Sequence, residues 1–172
     1  MTKRPVPSFK NDKVRLRLLT AEDLEMTLNW RNQDHIRKWF FHSDIIEIGP
    51  HRRWFEQYQE RDDDFVFVIE SVADNYLPVG QIALYHIDWA ARRAEYGRIM
   101  IADPAARGKG LGRAATRAIL KIGFEYFHLQ EIYLEVLENN QSARAVYADC
   151  GFKVMAIKDG VVQMNIHPGE VQ

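Results

Sequence analysis

A short basic loop, Arg107–Gly112, contains the residue types best suited to binding chemistry in this chain. Three alternate glycines leave the main-chain N–H groups free to turn towards an anion, and Arg107 and Lys109 keep the loop cationic. A helix predicted to begin directly behind the loop adds the partial positive charge of its N-terminus. The loop is therefore predicted to hold a phosphate group.

The spacing within this loop excludes two common nucleotide sites. A Walker loop requires Ser or Thr after its lysine, but Lys109 is followed by Gly110. A dinucleotide fingerprint requires a third glycine at the position where Arg113 stands. ATP and NAD are therefore not expected, and the alternative to a phosphate loop is a flexible turn that caps the helix.

The composition is that of an ordinary globular domain. The chain has 172 residues, 47% of them hydrophobic, and a formal net charge of -1. We predict a flexible N-terminal tail over residues 1–10 and a single domain over residues 11–168. The near-neutral charge gives no reason to expect nucleic acid or a membrane as a partner. Because the sequence has neither a signal-peptide pattern nor a long apolar run, we expect a cytoplasmic protein.

The cysteine and histidine content argues against a metal site. The single cysteine, Cys150, excludes an internal disulfide and a cysteine-based metal cluster, and its apolar neighbours predict a buried structural thiol. The six histidines show no ligand spacing. No metal is expected.

Hydrophobic periodicity predicts the elements that position the loop. The predicted strands span residues 14–18, 64–69, 79–87, 95–102, 132–137, 152–158 and 161–166, and the predicted helices begin near residues 21, 50, 111 and 141. The aromatic segment 36–42 is interpreted as irregular, and Asp159-Gly160 predicts a tight hairpin. The glycine loop thus lies between a strand and a long amphipathic helix.

Three motifs with their spacing resemble the GNAT acetyltransferase superfamily along nearly the whole chain. The first is Ala102-Asp103-Pro104 leading to Arg107, the second is the glycine loop, and the third is Asn140 followed by Tyr147 and by Gly151-Phe152. Ala94-Glu95-Tyr96 resembles the branch that includes ribosomal-protein, spermidine and amino-sugar acetyltransferases. The resemblance implies an α+β (α/β/α) fold, with a mixed, mostly antiparallel sheet of six to seven strands and about four helices.

The resemblance also implies acetyl-CoA as the cosubstrate. Main-chain groups of the strand before the loop would bond the pantetheine arm, and the loop would hold the pyrophosphate. The cofactor-binding residues implied in this way are Met100, Ile101, Ala102, Arg107, Gly108, Lys109, Gly110, Leu111, Gly112, Arg113 and Asn140.

Acetyl transfer to an amine needs a proton donor for the leaving thiolate and an acceptor for the proton of the amine. The resemblance places Tyr147 as the general acid, against the alternative of a core tyrosine. Glu95 is either the general base or a carboxylate that orients the substrate or the strand. A chain that binds acetyl-CoA without catalysis is a further alternative, against which Tyr147 argues.

The acceptor is predicted to be a small-molecule amine that lies against the first two helices and their connection. The predicted substrate-binding residues are Trp30, Arg31, Trp39, Phe40 and His86. This wall resembles that of nucleotide-sugar amine N-acetyltransferases of the pseudaminic-acid pathway type, in which aromatic rings would stack and basic groups would meet a diphosphate. The main prediction is therefore a nucleotide-linked amino sugar.

Other acceptors and assemblies stay open. A ribosomal-protein N-terminus, a polyamine or another small amine is an alternative acceptor. A polyamine would require an acidic pocket, whereas the sequence of this wall is net basic. A homodimer is an alternative to a monomer.

Overall fold

A single mixed sheet forms the centre of the computed structural model, which describes residues 2–172. Over these residues the sheet has eight strands in the order β1-β2-β3-β4-β5-β6-β8-β7. The strands are β1 (Phe9–Lys10), β2 (Val14–Leu18), β3 (Phe65–Ser71), β4 (Leu77–Asp88), β5 (Arg93–Ile101), β6 (Glu131–Leu137), β7 (Lys153–Lys158) and β8 (Val161–Ile166). Neighbouring strands in this described part of the chain are antiparallel except β5 and β6, which are parallel.

Helices cover both faces of the sheet. The helices are α1 (Leu24–Arg31), α2 (Asp34–Arg37), α3 (Ile48–Gln59), α4 (Leu111–Lys121) and α5 (Gln141–Cys150). The face that carries Leu84 and Tyr96 packs against α4 and α5 in the larger apolar core, and we call it the cofactor face. The face that carries Val66 and Ala83 packs against α1 and α3 in a smaller core, and we call it the acceptor face.

The predicted mixed, mostly antiparallel sheet is present, but the predicted numbers of strands and helices were too low. Across residues 2–172 the sheet also includes Phe9–Lys10, and a fifth helix, Asp34–Arg37, overlaps the start of the segment 36–42 that was interpreted as irregular. A strand of two residues and a helix of four residues are too short to display a hydrophobic period.

One helical residue lies on a different side than its spacing predicts. Leu111, Ala115, Ala118 and Ile122 share the buried side of α4, as expected. A π-helical turn, Ile122–Tyr126, then changes the phase of the helix. Tyr126, expected to continue the buried stripe, is 39% exposed and packs edge-on against Phe9 at 5.5 Å.

The N-terminal segment, expected to be a flexible tail, contacts the folded domain. Phe9 and Lys10 pair with β2. The Arg4 guanidinium donates to the Asp62 carboxylate, with Nε–Oδ2 at 2.9 Å. Met1 lies outside the described residues.

The two parallel strands separate part-way along their length, and this opening positions the site. Their pairing runs from Arg93 opposite Glu131 to Glu95 opposite Tyr133. Beyond that point β5 stays paired with β4 and β6 stays paired with β8. A bulge in β5 between Gly97 and Met100 adds to the divergence, because it inserts one extra residue opposite β4.

Candidate active site

A cavity of about 600 Å³ fills the opening between β5 and β6. It is lined from the cofactor face by the glycine loop and the starts of α4 and α5, and from the acceptor face by the segment around α2. The cavity therefore connects the two faces of the sheet. A ligand bound on one face can meet a second ligand bound on the other.

The glycine loop closes the cofactor end of the cavity in a conformation that requires glycine. Gly108 has φ 73° and Gly110 has φ 77°, and both lie in the left-handed region. Gly110 is the N-cap residue of α4 and provides no side chain to cap it. Because the first N–H groups of a helix have no partner within the helix, those of α4 remain available to an anion at the cavity.

Basic residues surround this end of the cavity, although not every predicted one lines it. Arg107 and Arg113 line the cavity, and the Arg113 guanidinium also pairs with Asp149 at 2.6 Å. The Lys109 side chain does not line it, and its carbonyl instead accepts a bond from Lys13 Nζ at 3.0 Å. Lys13, which sequence reasoning missed, thus ties the loop to the start of β2. No short motif marks this contact.

The free edge of β5 forms one wall. Met100 and Ile101 line the cavity, as predicted, and the edge of β5 that faces β6 has no strand partner beyond Glu95. An extended amide-containing chain can add to such an edge through main-chain hydrogen bonds. Ala102 departs from the prediction, because it is buried outside the cavity and its N–H donates to the Val79 carbonyl at 2.7 Å.

Helix α5 brings Asn140 and Tyr147 to the same cavity. Asn140 is the N-cap residue of α5, and its side-chain oxygen accepts from the N–H of Ala143 at 3.4 Å. At the other end of the helix, Gly151 has φ 111° and ends it, as expected. Both ends of α5 are therefore fixed by local sequence.

Tyr147 lies in a cluster of aromatic rings but still reaches the cavity. Its ring packs edge-on against Tyr96 at 5.3 Å, and the Tyr96 hydroxyl is 2.8 Å from the Thr116 hydroxyl. Burial raises the pKa of Tyr147 above its ordinary value, and a hydrogen bond with Tyr96 offsets part of this rise. The phenol therefore keeps its proton at neutral pH and can act only as a donor or as a packed hydroxyl.

Glu95 lies where β5 and β6 begin to separate. Its Oε1 accepts from the Tyr85 hydroxyl at 3.1 Å, and its Oε2 lies 2.8 Å from His86 Nδ1. A Cβ on Gly97 would lie 2.7 Å from the Tyr85 hydroxyl, so a glycine there makes room for the tyrosine. His86 does not line the cavity, but it contacts two residues that do, Glu95 and Tyr85, with its ring 4.8 Å from the Tyr85 ring.

An ion pair below Tyr85 supports this carboxylate. The Arg98 guanidinium lies 4.1 Å from the Tyr85 ring centroid and pairs with Asp64 at 2.8 Å. Burial, and next the charge of Glu95, raise the pKa of Tyr85, which therefore stays a hydrogen-bond donor to Glu95. Sequence reasoning missed Tyr85 and Arg98, because neither belongs to a motif and only the pairing of β4 with β5 brings them to Glu95.

The aromatic wall divides into residues that line the cavity and residues that support them. Trp39 and Phe40 line it, as predicted. Trp30 packs against the small cluster that includes Ile36 and Met100, outside the cavity. Arg31 also lies outside it, because its guanidinium stacks on the Phe40 ring at 4.1 Å and donates to the His42 carbonyl. The wall is thus narrower and less basic than its sequence suggests.

Two further observations concern metals and membranes. Within residues 2–172, no group of three or more His, Cys, Asp or Glu side chains is arranged to hold a metal ion. The helices over the same residues are all too short or too polar to span a membrane.

Cys150 is buried, and burial raises the pKa of its thiol, in agreement with a structural role.

Residues 13–153 match the acetyltransferase (GNAT) domain family. The chain belongs to the GNAT acetyltransferase family. The spermidine N(1)-acetyltransferase of Vibrio cholerae is 29% identical over 142 residues, which are 83% of this chain and 80% of that protein. The aminoglycoside N(6')-acetyltransferase type 1 of Klebsiella pneumoniae is 28% identical over 167 residues, covering 89% of this chain and 80% of that protein.

A solved structure is similar over most of this chain. The crystal structure of spermidine N-acetyltransferase from Vibrio cholerae in complex with CoA and spermine superposes with a TM-score of 0.84 at 25% identity, covering 93% of this chain and 98% of that chain. This GNAT protein is therefore an acetyl-CoA-dependent N-acetyltransferase, as its motifs predict. The finer likeness to enzymes of the pseudaminic-acid pathway finds no support among these relatives.

The residues present fit acetyl-CoA. Gly108 and Gly112 leave open space where a Cβ would stand, next to the N-terminus of α4 and the basic Arg107. The free edge of β5 then leads from the loop towards Glu95. Acetyl-CoA supplies the activated acetyl thioester when bound, and by this fit the loop would hold its phosphates and the β5 edge its pantetheine amides.

Proposed function

We propose that this acetyltransferase modifies a primary amine of a small polycationic molecule, with polyamines as the first candidates. The observation that carries the proposal is the separation of charge within the cavity. Arg107 and Arg113 line the cofactor end, whereas Glu95 and Glu135 line the cavity beside β6. A cationic acceptor is attracted to carboxylates on the acceptor face and is kept away from the basic phosphate end.

The basic residues of the acceptor wall lie outside the cavity or pair with carboxylates, which removes the reason to expect an anionic acceptor. Arg37 donates to Asp34 at 2.8 Å and to the Ser43 carbonyl at 2.8 Å. Neither Arg37 nor Lys38 lines the cavity. Arg98 does line it, but Asp64 takes up its charge. The sugar diphosphate of the main sequence prediction therefore has no free basic partner on this wall among the described residues.

The proposed roles of the two catalytic candidates follow from their contacts. Tyr147 holds a proton at the cavity wall and is the proposed donor for the leaving sulfur. Glu95 is the proposed acceptor or orienting group for the ammonium, and His86 at 2.8 Å provides a route for that proton to solvent because its side chain is exposed. A module that only binds acetyl-CoA needs neither group at the cavity.

An amine carried by a sugar is the second candidate, and the aromatic rings favour it. Trp39, Phe40 and Phe41 all line the cavity and can stack on a sugar ring. The aminoglycoside acetyltransferase named above is, by its name, an N(6')-acetyltransferase of aminoglycosides. Both candidates share a cationic amine, whereas a nucleotide-linked amino sugar carries a diphosphate.

Release of free thiol from acetyl-CoA tests the proposal. We expect release with spermidine, weaker release with an aminoglycoside, and little with UDP- or dTDP-linked amino sugars or with peptides that represent ribosomal-protein N-termini. A turnover that is highest with nucleotide-linked sugars would overturn the proposed acceptor. Calorimetric titration with acetyl-CoA alone separates this failure from a chain that does not bind the cosubstrate.

The role of Glu95 is tested with the same acceptor. If Glu95 is the base, Glu95→Gln lowers kcat by about 100-fold or more and changes the pH profile of the reaction. If Glu95 only orients the substrate, the same variant mainly raises KM for the amine and leaves the shape of the pH profile unchanged.

The homodimer that the sequence left open as an alternative stays a prediction. Strand β7 is the edge of the sheet, and its Val154, Met155 and Ile157 side chains are exposed. An unpaired apolar edge is suited to pairing with a second copy of the chain. Sedimentation of Met155→Lys beside the unchanged protein tests this assembly.

A further inference from the structure

One carboxylate on the acceptor face, that of Glu135, is used by none of the interactions described above. Tyr133 lies directly opposite Glu95 where β5 and β6 pair, so the two side chains share the acceptor face. Glu135 is the second residue after Tyr133 and lies on that face too, about 6.6 Å farther along β6. Both Glu95 and Glu135 line the cavity.

The charge of Glu135 has no cationic partner. Among residues 2–172, its described contact is a bond of 3.4 Å from the Gln163 amide to Oε1. Arg93, which lies two residues before Glu95 on β5, bonds Glu131 at 3.0 Å and lies 4.5 Å from the Tyr133 ring centroid. Arg93 therefore pairs with Glu131, and Glu135 lines the cavity without a described basic partner among residues 2–172.

Tyr133 lies opposite Glu95 of β5 and two residues before Glu135 in β6. Its pKa is raised by burial and then by the charge of Glu95, with smaller contributions from Glu131 and Glu135, so the phenol stays neutral between them. Glu95 and Glu135 both line the cavity, whereas Tyr133 does not and its ring is covered by the Arg93 guanidinium. The two carboxylates match an acceptor with two ammonium groups separated by a few methylenes.

We propose that Glu135 binds the second ammonium group of the acceptor, and that it thereby makes the enzyme prefer polyamines over monoamines. This inference rests on the proposed function, because it names the part of a polycationic acceptor that the site distinguishes. Glu95 meets the amine that is acetylated, and Glu135 meets the amine that is not.

The test compares acceptors that differ by one charge. Spermidine, 1,4-diaminobutane and butylamine are each assayed with the unchanged protein and with Glu135→Gln, which removes the charge and keeps the side-chain shape. For spermidine we expect kcat/KM to fall about tenfold through a higher KM, the size of one charge-assisted hydrogen bond. For butylamine we expect no change, because it has no second ammonium group.

Glu138→Gln is the matched control. Glu138 is exposed, lies just beyond the end of β6 and does not line the cavity. Glu138→Gln changes the net charge of the protein by the same amount as Glu135→Gln, so it measures any general electrostatic attraction of cations. We expect it to leave kcat/KM unchanged for all three amines.

Three results would contradict the role of Glu135. They are an equal loss with spermidine and butylamine in Glu135→Gln, no loss with either, or the same loss in Glu138→Gln. An unchanged protein that acetylates spermidine and butylamine equally well also overturns the role of Glu135 and leaves the proposed function standing. Absence of any reaction with spermidine overturns the proposed function, and this is visible before a variant is made.

Discussion

The two ends of the cavity are built in different ways. The cofactor end consists mainly of main-chain groups from one continuous segment, in which Gly108 and Gly110 adopt φ of 73° and 77°. The acceptor end consists of side chains from distant segments, among them Trp39, Tyr85, Glu95 and Glu135. A ligand used by a whole family can be held by main-chain groups, whereas a ligand that differs between members must be recognised by side chains. Substitutions at the two ends should therefore change different kinetic constants.

The largest effect is expected where the two ends meet, at Tyr147. Removal of the hydroxyl in Tyr147→Phe should lower kcat by about 100-fold or more, because a positioned general acid contributes about 10²- to 10⁴-fold. The Kd for acetyl-CoA should stay close to that of the unchanged protein, since the ring and its packing remain. Steady-state kinetics with the true acceptor and titration with acetyl-CoA measure the two constants.

Tyr96→Phe is the control for this variant. It removes a neighbouring buried hydroxyl with its 2.8 Å bond to Thr116 and its bond with Tyr147, but it keeps the Tyr147 hydroxyl, so it lowers stability by about 1 kcal/mol with a smaller effect on kcat. Because burial raises the pKa of Tyr147, the donor is not lost as the pH rises from 7 to about 10, while the fraction of neutral amine increases. The rate should rise over that range, and an equal rate in Tyr147→Phe would refute the acid role.

The second-largest effect is expected at the cofactor end of the cavity. Gly110→Val places a β-branched side chain at φ 77°, where its Cβ would lie 3.1 Å from Lys13 Nζ. We expect the Kd for acetyl-CoA to rise about ten- to 100-fold, because the loop must leave the conformation that presents the N–H groups of α4. Calorimetric titration measures this change.

Gly160→Val provides the matched control. Gly160 has the same φ of 77° in the β7–β8 hairpin, and nothing lies within 4 Å of an added Cβ. It should lower the melting temperature through backbone strain and leave the Kd for acetyl-CoA unchanged. A similar loss of acetyl-CoA binding in both variants would mean that strain, rather than the phosphate cradle, causes the effect.

A moderate effect is expected at the acceptor end. Trp39 lines the cavity and is 39% exposed, so Trp39→Ala should raise KM for the amine about tenfold with little change in stability or in acetyl-CoA binding. Trp30→Ala should instead lower stability and leave KM for the amine nearly unchanged. Trp30 is half-buried against Ile36 and Met100, so its loss should cost less than the about 3–5 kcal/mol typical of a fully buried tryptophan. If Trp30→Ala raised KM and Trp39→Ala lowered stability, Trp30 rather than Trp39 would contact the acceptor.

The smallest effect is expected at Lys13. Lys13→Gln weakens the contact of Nζ with the Lys109 carbonyl and removes a charge near the phosphate cradle, so the Kd for acetyl-CoA should rise about threefold. Lys10→Gln removes the same charge from a side chain that contacts Tyr76 instead, and it should leave binding unchanged. Equal effects would indicate a general loss of charge rather than a contact with the loop.

The local features of the fold could be predicted from the sequence. Asp159-Gly160 forms the expected hairpin with φ of 53° and 77°, and Asn140 and Gly151 cap α5 as expected. These features depend on residues close together in the chain, so their conformations follow from local steric limits and local hydrogen bonds. The four-residue α2 and the π-helical turn were missed because neither leaves a periodic pattern.

The site was predicted unevenly for the same reason. The glycine loop, Asn140 and Tyr147 were proposed from motif spacing, and all of them except Lys109 line the cavity. Trp30, Arg31 and Ala102 were assigned from their neighbours along the chain, but packing and hydrogen bonding place them outside it. Tyr85 and Glu135 were not found, because no spacing in the sequence relates them to Glu95.

The sequence by itself thus determined the family, the cosubstrate and the main-chain cradle, since each depends on contiguous residues with restricted backbone conformations. Only the tertiary structure decided which charges remain free at the acceptor end. Asp34 and Asp64 neutralise Arg37 and Arg98, while β6 carries Glu135 to the cavity without a basic partner. Whether a charge is neutralised depends on which side chains the fold brings within about 4 Å, and that proximity is set by strand pairing and helix packing.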